Sequence, residues 1–349
     1  MDASAIQIGA LAPLTPPGWA EAGRHLLAGL EQGVRDVNDA GGIDGRPLEL
    51  VVRDTAADPS KAAAAVDELA GLGVVALAGE FHSVVARAVA ARADALGVPF
   101  LCSSAVLDAL TDEPTEWVAR LCPPQSRGWN VYADFLLANG HRRIAVATQP
   151  SAYWAAGIRV LRNRLAVVEL ATADPDDVGE AVLGTEATAL LLLVGHPEPA
   201  TKIVTAVRSD RRLRRVMIGA PAGQPELPGW EARLGADGAA IPFLRYRLER
   251  LTPLGARVER GLRDRLGQNP CFVAFEGYDA IAVLADLLRQ DGSWSRVAVD
   301  GTRGRIRFSR PPGSRVWQWA WPPIQVADRD PARPDRFRVL YTGDPEPPL

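Results

Sequence analysis

The chain has 349 residues, 47% hydrophobic and 23% charged, which is enough to bury one large core or two ordinary ones. Its net charge is −3, Lys occurs only at Lys61 and Lys202, and the Arg are scattered, so no basic footprint for nucleic acid is present. The longest apolar run, 187–194, suits a buried strand and falls far short of the ~20 residues of a membrane-spanning helix.

From the amino end, short apolar and β-branched runs alternate with longer helical patterns. Strands are expected at 6–11, 48–53, 74–78, 99–101 and 118–121. Helices are expected at 20–39, 59–71 and 84–96, with a short one near Asp108. Such alternation predicts parallel strands with helical crossovers on both faces. It restarts beyond Cys122-Pro123-Pro124, with strands at 144–147, 189–194, 216–218 and 239–241 and helices at 153–165, 199–208 and 226–234. The C-terminal third begins with helices at 254–266 and 272–289 and ends in strands at 304–308, 316–321, 324–326 and 337–341. By period two, Trp317, Trp319 and Trp321 share one face of a strand. Two helices cannot form a domain alone, so they are expected to return to the first unit, and the tail to cross to the second. The expected fold is α/β, two lobes with parallel sheets. Lobe 1 comprises 1–122 and 246–307, and lobe 2 comprises 123–245 and 308–345. The three crossings make a hinge and a cleft.

Acid and glycine concentrate at 37–59. Asp36, Asn38 and Asp39 begin like a calcium loop with Gly41 in sixth place, but Ala40 takes the fifth ligand position and Pro47 stands for the twelfth-position Glu. The stretch reads instead as a helix stop at Gly41-Gly42, a turn at Asp44-Gly45 and a helix start at Asp58-Pro59. Neither a P-loop nor a dinucleotide glycine fingerprint nor a Gly-x-Ser-x-Gly elbow occurs. His25, His82, His141 and His196 share no metal-binding spacing. No cofactor, metal or catalytic residue is therefore expected. Cys102 and Cys122 end neighbouring strands, either as a pair or as buried thiols, and three cysteines are too few for a disulfide framework. Met1-Asp2-Ala3-Ser4 lacks the basic start and apolar core of a signal peptide. That implies a cytoplasmic location if Met1 is native, and an extracytoplasmic one if a leader has been removed.

In open parallel sheets, ligands lie beyond the carboxyl ends of the strands. Trp19 occupies the first such loop and either stacks on a ligand or packs on its own helix. Phe81, His82 and Ser83 occupy the next, and Ser103, Ser104, Ala105 and Val106 the one after. Helix-start N–H groups and the Ser83 hydroxyl can hold an anionic or carbonyl oxygen, or Ser83 caps its helix. A Ser83–His82 nucleophile has no third group to orient it. In the second lobe Tyr153, His196 and Ala222 occupy corresponding strand ends. Phe275, with Phe272, is either a hinge-side contact or part of a core stripe.

Several segments resemble the type I periplasmic binding proteins, specifically the branched-chain amino-acid (Leu/Ile/Val) receptors of ABC importers. "IQIGALAPLTPPG" is similar to their opening strand and loop, and "GLEQGVRDVNDAGGIDGRPLELVVRDTAADPSKAAAAVDEL" is the strongest match. "GVVALAGEFHSVVARAVA" and "GVPFLCSSAVLDALT" resemble their ligand-loop segments, and "FEGYDAIAVLADLL" and "VDGTRGRIRF" their C-terminal signatures. The resemblance implies two Rossmann-like lobes, hinged as a Venus flytrap, closing on a small-molecule ligand without chemistry. It also implies membrane subunits of an ABC transporter as partners, with no membrane span in this chain.

The resemblance assigns the ligand carboxylate to Ser83 and to backbone donors at Ser104 and Ala105, with Val106 where a Thr is expected, and an aromatic contact to Tyr153. The acid that receives an ammonium is expected near 221–223 and is missing. An amino acid would have to use Glu80, Glu198 or Glu276 instead, because a buried ammonium without a counter-charge is costly. Ala57 and His82 occupy the sites of the family's first-lobe disulfide. A cytosolic ligand sensor of the same fold is the alternative reading. An enzyme recruited from the fold is the third, with Glu80, His82 and Ser83 as its first suspects.

Overall fold

The computed structural model describes residues 4–320 and 322–343. Residues 1–3, Trp321 and the last six residues, with the expectations placed on them, lie outside the described residues.

The chain opens with β1 (Ile6–Ala12), α1 (Ala20–Asp39), β2 (Leu48–Asp54), α2 (Pro59–Gly71), β3 (Ala76–Gly79), α3 (Ser83–Leu96), β4 (Phe100–Cys102) and β5 (Val118–Arg120). It continues with α4 (Gln125–Ala138), β6 (Arg143–Thr148), α5 (Ala152–Arg162), β7 (Ala166–Glu169), α6 (Val178–Leu183), β8 (Ala189–Leu193), α7 (Ala200–Ser209), β9 (Met217–Gly219), α8 (Pro228–Leu234) and β10 (Phe243–Arg245). It ends with α9 (Pro253–Leu266), α10 (Phe272–Arg289), β11 (Ala298–Gly301), β12 (Gly304–Ser309), β13 (Trp317–Trp319), β14 (Gln325–Asp330) and β15 (Arg333–Thr342).

Two compact units result. Unit 1 comprises the residues up to 124 and 247–323, and unit 2 comprises 125–246 and the residues from 324 on. The last crossing thus follows Pro323, whereas the sequence pattern placed it after 307. Backbone pairing moves it: β13 pairs in parallel with β5 and antiparallel with β12, which holds 308–323 in unit 1.

In unit 1 the strand order is β11-β12-β13-β5-β4-β3-β1-β2. β1 pairs in parallel with β2 on one side and β3 on the other, so strand order reverses there and a crevice forms beyond the carboxyl ends. α1 buries Ala22, Leu26 and Leu30, an i, i+4, i+8 stripe. It lies against α10 at backbone distance: a Cβ at Gly29 would overlap the Ala274 carbonyl, and one at Gly277 the Leu26 carbonyl. α1 ends where Gly41 and Gly42 take φ of 98° and 74°, which a side chain would strain. The acids of this stretch build structure. The Asn38 side chain bonds both backbone groups of Leu48 (2.7 and 2.9 Å), Asp36 accepts from the Tyr278 hydroxyl (2.8 Å), and Asp58 caps α2.

Unit 2 holds a parallel sheet, β7-β6-β8-β9, and an antiparallel one, β10-β14-β15. β8 reads Ala-Leu-Leu-Leu-Leu and is buried throughout, as a central parallel strand covered on both faces must be. Elements α4, β7 and α6 go beyond those read from the sequence. The strand expected at 239–241 is displaced to Phe243–Arg245, because Ala240 has a φ of 53°, incompatible with a strand. The short helix near Asp108 is also absent. Residues 103–117 form a loop whose backbone bonds tertiary partners instead, Leu107 N–H to Ser83 and the Leu107 carbonyl to Arg120.

Candidate functional site

In unit 1 the loops after β1, β3 and β4 come together at the carboxyl edge of the sheet. Trp19 does not stand alone. Its ring lies 5.5 Å from Phe81 and 6.2 Å from His82, and Phe81 lies 5.3 Å from His82. These side chains are half-buried. The Trp19 N–H donates to His82 Nε2 (3.0 Å), so the imidazole carries its proton on Nδ1. Burial lowers the His82 pKa to about 4, which leaves the ring neutral. His82 therefore ties the β1 loop to the β3 loop and does not activate Ser83.

Glu80 is the polar centre of this edge. Its side chain is fully buried and accepts from the Thr55 hydroxyl (2.7 Å) and from the N–H groups of Phe81 (2.8 Å) and His82 (2.9 Å). Burial raises its pKa to about 7 against those three hydrogen bonds. The expectation of open helix-start N–H groups is thus corrected in part, because Glu80 takes those of Phe81 and His82. Ser83 is the first residue of α3 and is not its cap. Its Oγ accepts from Leu107 N–H (3.3 Å), which leaves the hydroxyl proton to point elsewhere.

The β4 loop supplies the rest. Ser103 N–H donates to the Gly79 carbonyl (2.7 Å), and the Ser103 and Ser104 hydroxyls lie 3.3 Å apart. Ala105 and Val106 are buried, and the Ala105 carbonyl accepts from both the Cys102 (3.5 Å) and Cys122 (3.1 Å) thiols. Both cysteines are free and buried, and burial together with the neighbouring Cys102 thiol pushes the Cys122 thiol up. Phe275 is fully buried and packs with Ala28, Val258 and Leu262 under the Arg247 guanidinium, so it belongs to the core and not to this edge.

In unit 2 the corresponding loops are aromatic. Ser151 caps α5 through Tyr153 N–H (3.2 Å), and the half-buried Tyr153 ring lies 4.6 Å from Trp154 and 6.0 Å from Trp129. Trp129 fits only because Gly157 has no side chain; a Cβ there would overlap the indole. His196 is buried and stacks on Trp230 at 6.0 Å. Ala222 is half-buried beside Gln224, which is fully buried and donates to the Leu192 and Val194 carbonyls at 3.4 Å.

The acids named as ammonium acceptors are otherwise engaged. Glu80 accepts the three hydrogen bonds described above, Glu276 is fully buried with Arg303 (3.2 Å), and Glu198 is exposed and paired with Lys202 (3.4 Å). In the loop after β9, Glu226 is buried against Arg245 (3.0 Å). Among the described residues, no group of three or more His, Cys, Asp or Glu could hold a metal ion. The sequence reading missed Arg120, Gln318, Thr55 and Trp129. A charged residue inside the apolar run Val118-Ala119-Arg120-Leu121-Cys122 was the signal for the first.

The periplasmic binding protein family model matches residues 5–313. Leu/Ile/Val-binding protein homolog 3 of Brucella melitensis is 32% identical over 149 residues, which is 42% of this chain and only 40% of that protein. The branched-chain amino acid transporter substrate-binding protein LivJ of Streptococcus pneumoniae, in complex with isoleucine, has a TM-score of 0.83 at 19% identity, covering 97% of this chain and 99% of that one. An ABC transporter solute-binding protein of R. palustris, in complex with benzoate, has a TM-score of 0.81 at 17% identity, covering 98% and 97%. No helix among the described residues is long and apolar enough to cross a membrane. With that match across most of its length, the chain belongs to the periplasmic binding protein family, and it shares its fold with these solved receptors.

Proposed function

We propose that the chain is the ligand-binding receptor of an ABC importer, working outside the cytoplasm with that importer's membrane subunits. Its ligand is a small carboxylate with an apolar or aromatic body and no ammonium group. One observation carries this reading: the acids proposed for an ammonium are hydrogen-bonded by Thr55 and two backbone N–H groups, buried against an Arg or paired in solvent. Ser83 and one of the mutually hydrogen-bonded pair Ser103 and Ser104 offer hydroxyl donors, which suit a group that only accepts. Neutral His82 adds no charge there, and the aromatic rings of Trp19 and Phe81 suit an aromatic body. The structural neighbours that hold isoleucine and benzoate bracket the choice, and the acid inventory favours the second type.

Calorimetric titration with benzoate, 4-hydroxybenzoate, isoleucine and leucine tests this. Saturable binding of the benzoates, with the amino acids weaker or silent, is the expected result. Tighter binding of isoleucine than of benzoate would overturn it.

A further inference from the structure

We infer that Arg120 is a positioning residue for ligand recognition, acting on the Ser83 hydroxyl through the peptide that joins Val106 to Leu107; this rests on the carboxylate reading above. Arg120 ends β5 and is 3% exposed. Its Nη1 donates to the carbonyls of Leu107 (2.6 Å) and Val106 (3.4 Å), and its Nε to Gln318 Oε1 (2.7 Å). Gln318 is itself fixed, since its amide nitrogen donates to the carbonyls of Cys122 (2.8 Å), Trp319 (3.2 Å) and Arg120 (3.3 Å). The Gln318 oxygen is thereby aimed at the guanidinium. Among the described residues no carboxylate forms an ion pair with Arg120, so a buried positive charge rests on carbonyl and amide dipoles alone.

The Val106–Leu107 peptide is held at both ends. The guanidinium approaches its carbonyl oxygen, and its N–H donates to Ser83 Oγ (3.3 Å). A cation at the carbonyl end polarises the peptide and strengthens its N–H as a donor. That hydrogen bond occupies a lone pair of the hydroxyl and leaves the proton for an incoming oxygen. The same buried charge favours an anion over a neutral ligand at this edge. Arg120 touches no ligand-facing atom itself, so its effect passes through Ser83.

Benzoate, and benzamide as its uncharged analogue, are titrated by calorimetry into the native protein, Arg120→Gln, Arg120→Lys, Ser83→Ala and the Arg120→Gln/Ser83→Ala double variant. Exchange of the Leu107 amide proton is followed by NMR in the ligand-free proteins. Arg120→Gln should weaken benzoate about tenfold and benzamide less. Arg120→Lys should recover part of the loss, and the effect of Arg120→Gln should vanish once Ser83 is Ala. Leu107 should exchange faster in Arg120→Gln than in the native protein. Independent losses that add in the double variant, or unchanged Leu107 exchange, would overturn the inference. Should the native protein bind neither probe, the carboxylate reading fails, and Leu107 exchange still decides whether Arg120 acts on this peptide. If Arg120→Gln does not fold, Arg120→Lys and Gln318→Ala carry the same comparison.

Discussion

In unit 1, the loops beyond β1, β3 and β4 present hydroxyls, a neutral imidazole and a buried carboxyl, each held by directional hydrogen bonds. In unit 2, the half-buried Tyr153 ring after β6 lies against the buried Trp154, and the buried His196 after β8 stacks on the buried Trp230 of α8. One parallel α/β plan thus supports two kinds of surface. Directional hydrogen bonds of the first kind lose most when a single polar atom is removed. Ring packing of the second kind loses less per atom.

The contrast extends to packing, where the largest effect is expected. In unit 1, Gly29 faces the Ala274 carbonyl, which a helix cannot move aside; in unit 2, Gly157 faces the Trp129 ring, which can tilt. Gly29→Ala should cost about 3 kcal/mol or more and Gly157→Ala about 2 kcal/mol in urea melts. Equal costs would show that the two units pack alike.

A pH-dependent difference in stability comes next. Glu80 binds its proton more tightly in the folded protein, at about 7 against an ordinary 4.5. Its contribution is therefore full below about pH 4.5 and is lost as pH rises through about 7. His25 is lowered to about 4 by burial and works in the opposite sense, its contribution being present above pH 6.5 and lost as pH falls through about 4. Thermal melts of Glu80→Gln against the native protein isolate the first effect, which should approach about 2 kcal/mol between pH 4.5 and 7.5. A difference that stays constant across that window would place the Glu80 pKa near its ordinary value.

The two smallest effects concern the ligand. Ser83→Ala should weaken benzoate about tenfold through loss of one directed hydrogen bond. Tyr153→Ala should weaken it about fivefold, and Tyr153→Phe hardly at all, because the ring and not the hydroxyl contributes. If Tyr153→Phe matches Tyr153→Ala, unit 2 recognises a polar group and the contrast between the units is mistaken.

Much of the fold was legible before the structure. The alternation of strand and helix runs was correct for β1 to β4, because parallel strands buried on both faces carry continuous apolar runs of the kind seen at 76–79 and 189–193. The candidate loops were legible, since strand ends follow from strand positions. The roles within those loops were not. His82 accepts Trp19 N–H, and Phe275, open between a hinge-side contact and a core stripe, is core. Both outcomes depend on neighbours far away in sequence, Trp19 in one case and Val258 and Leu262 in the other.

By itself the sequence determined what depends on local pattern: helix stops at Gly41-Gly42, the Asp58-Pro59 helix start, the buried strand at 189–193 and the family likeness that these share. Tertiary structure alone decided what depends on pairing between distant segments. It placed 308–323 in unit 1 through the β13–β5 ladder, gave Glu80 three donors, and bonded Arg120 to the Leu107 carbonyl. Local propensity acts over a few residues, whereas a buried polar group must find its partner wherever the fold brings one.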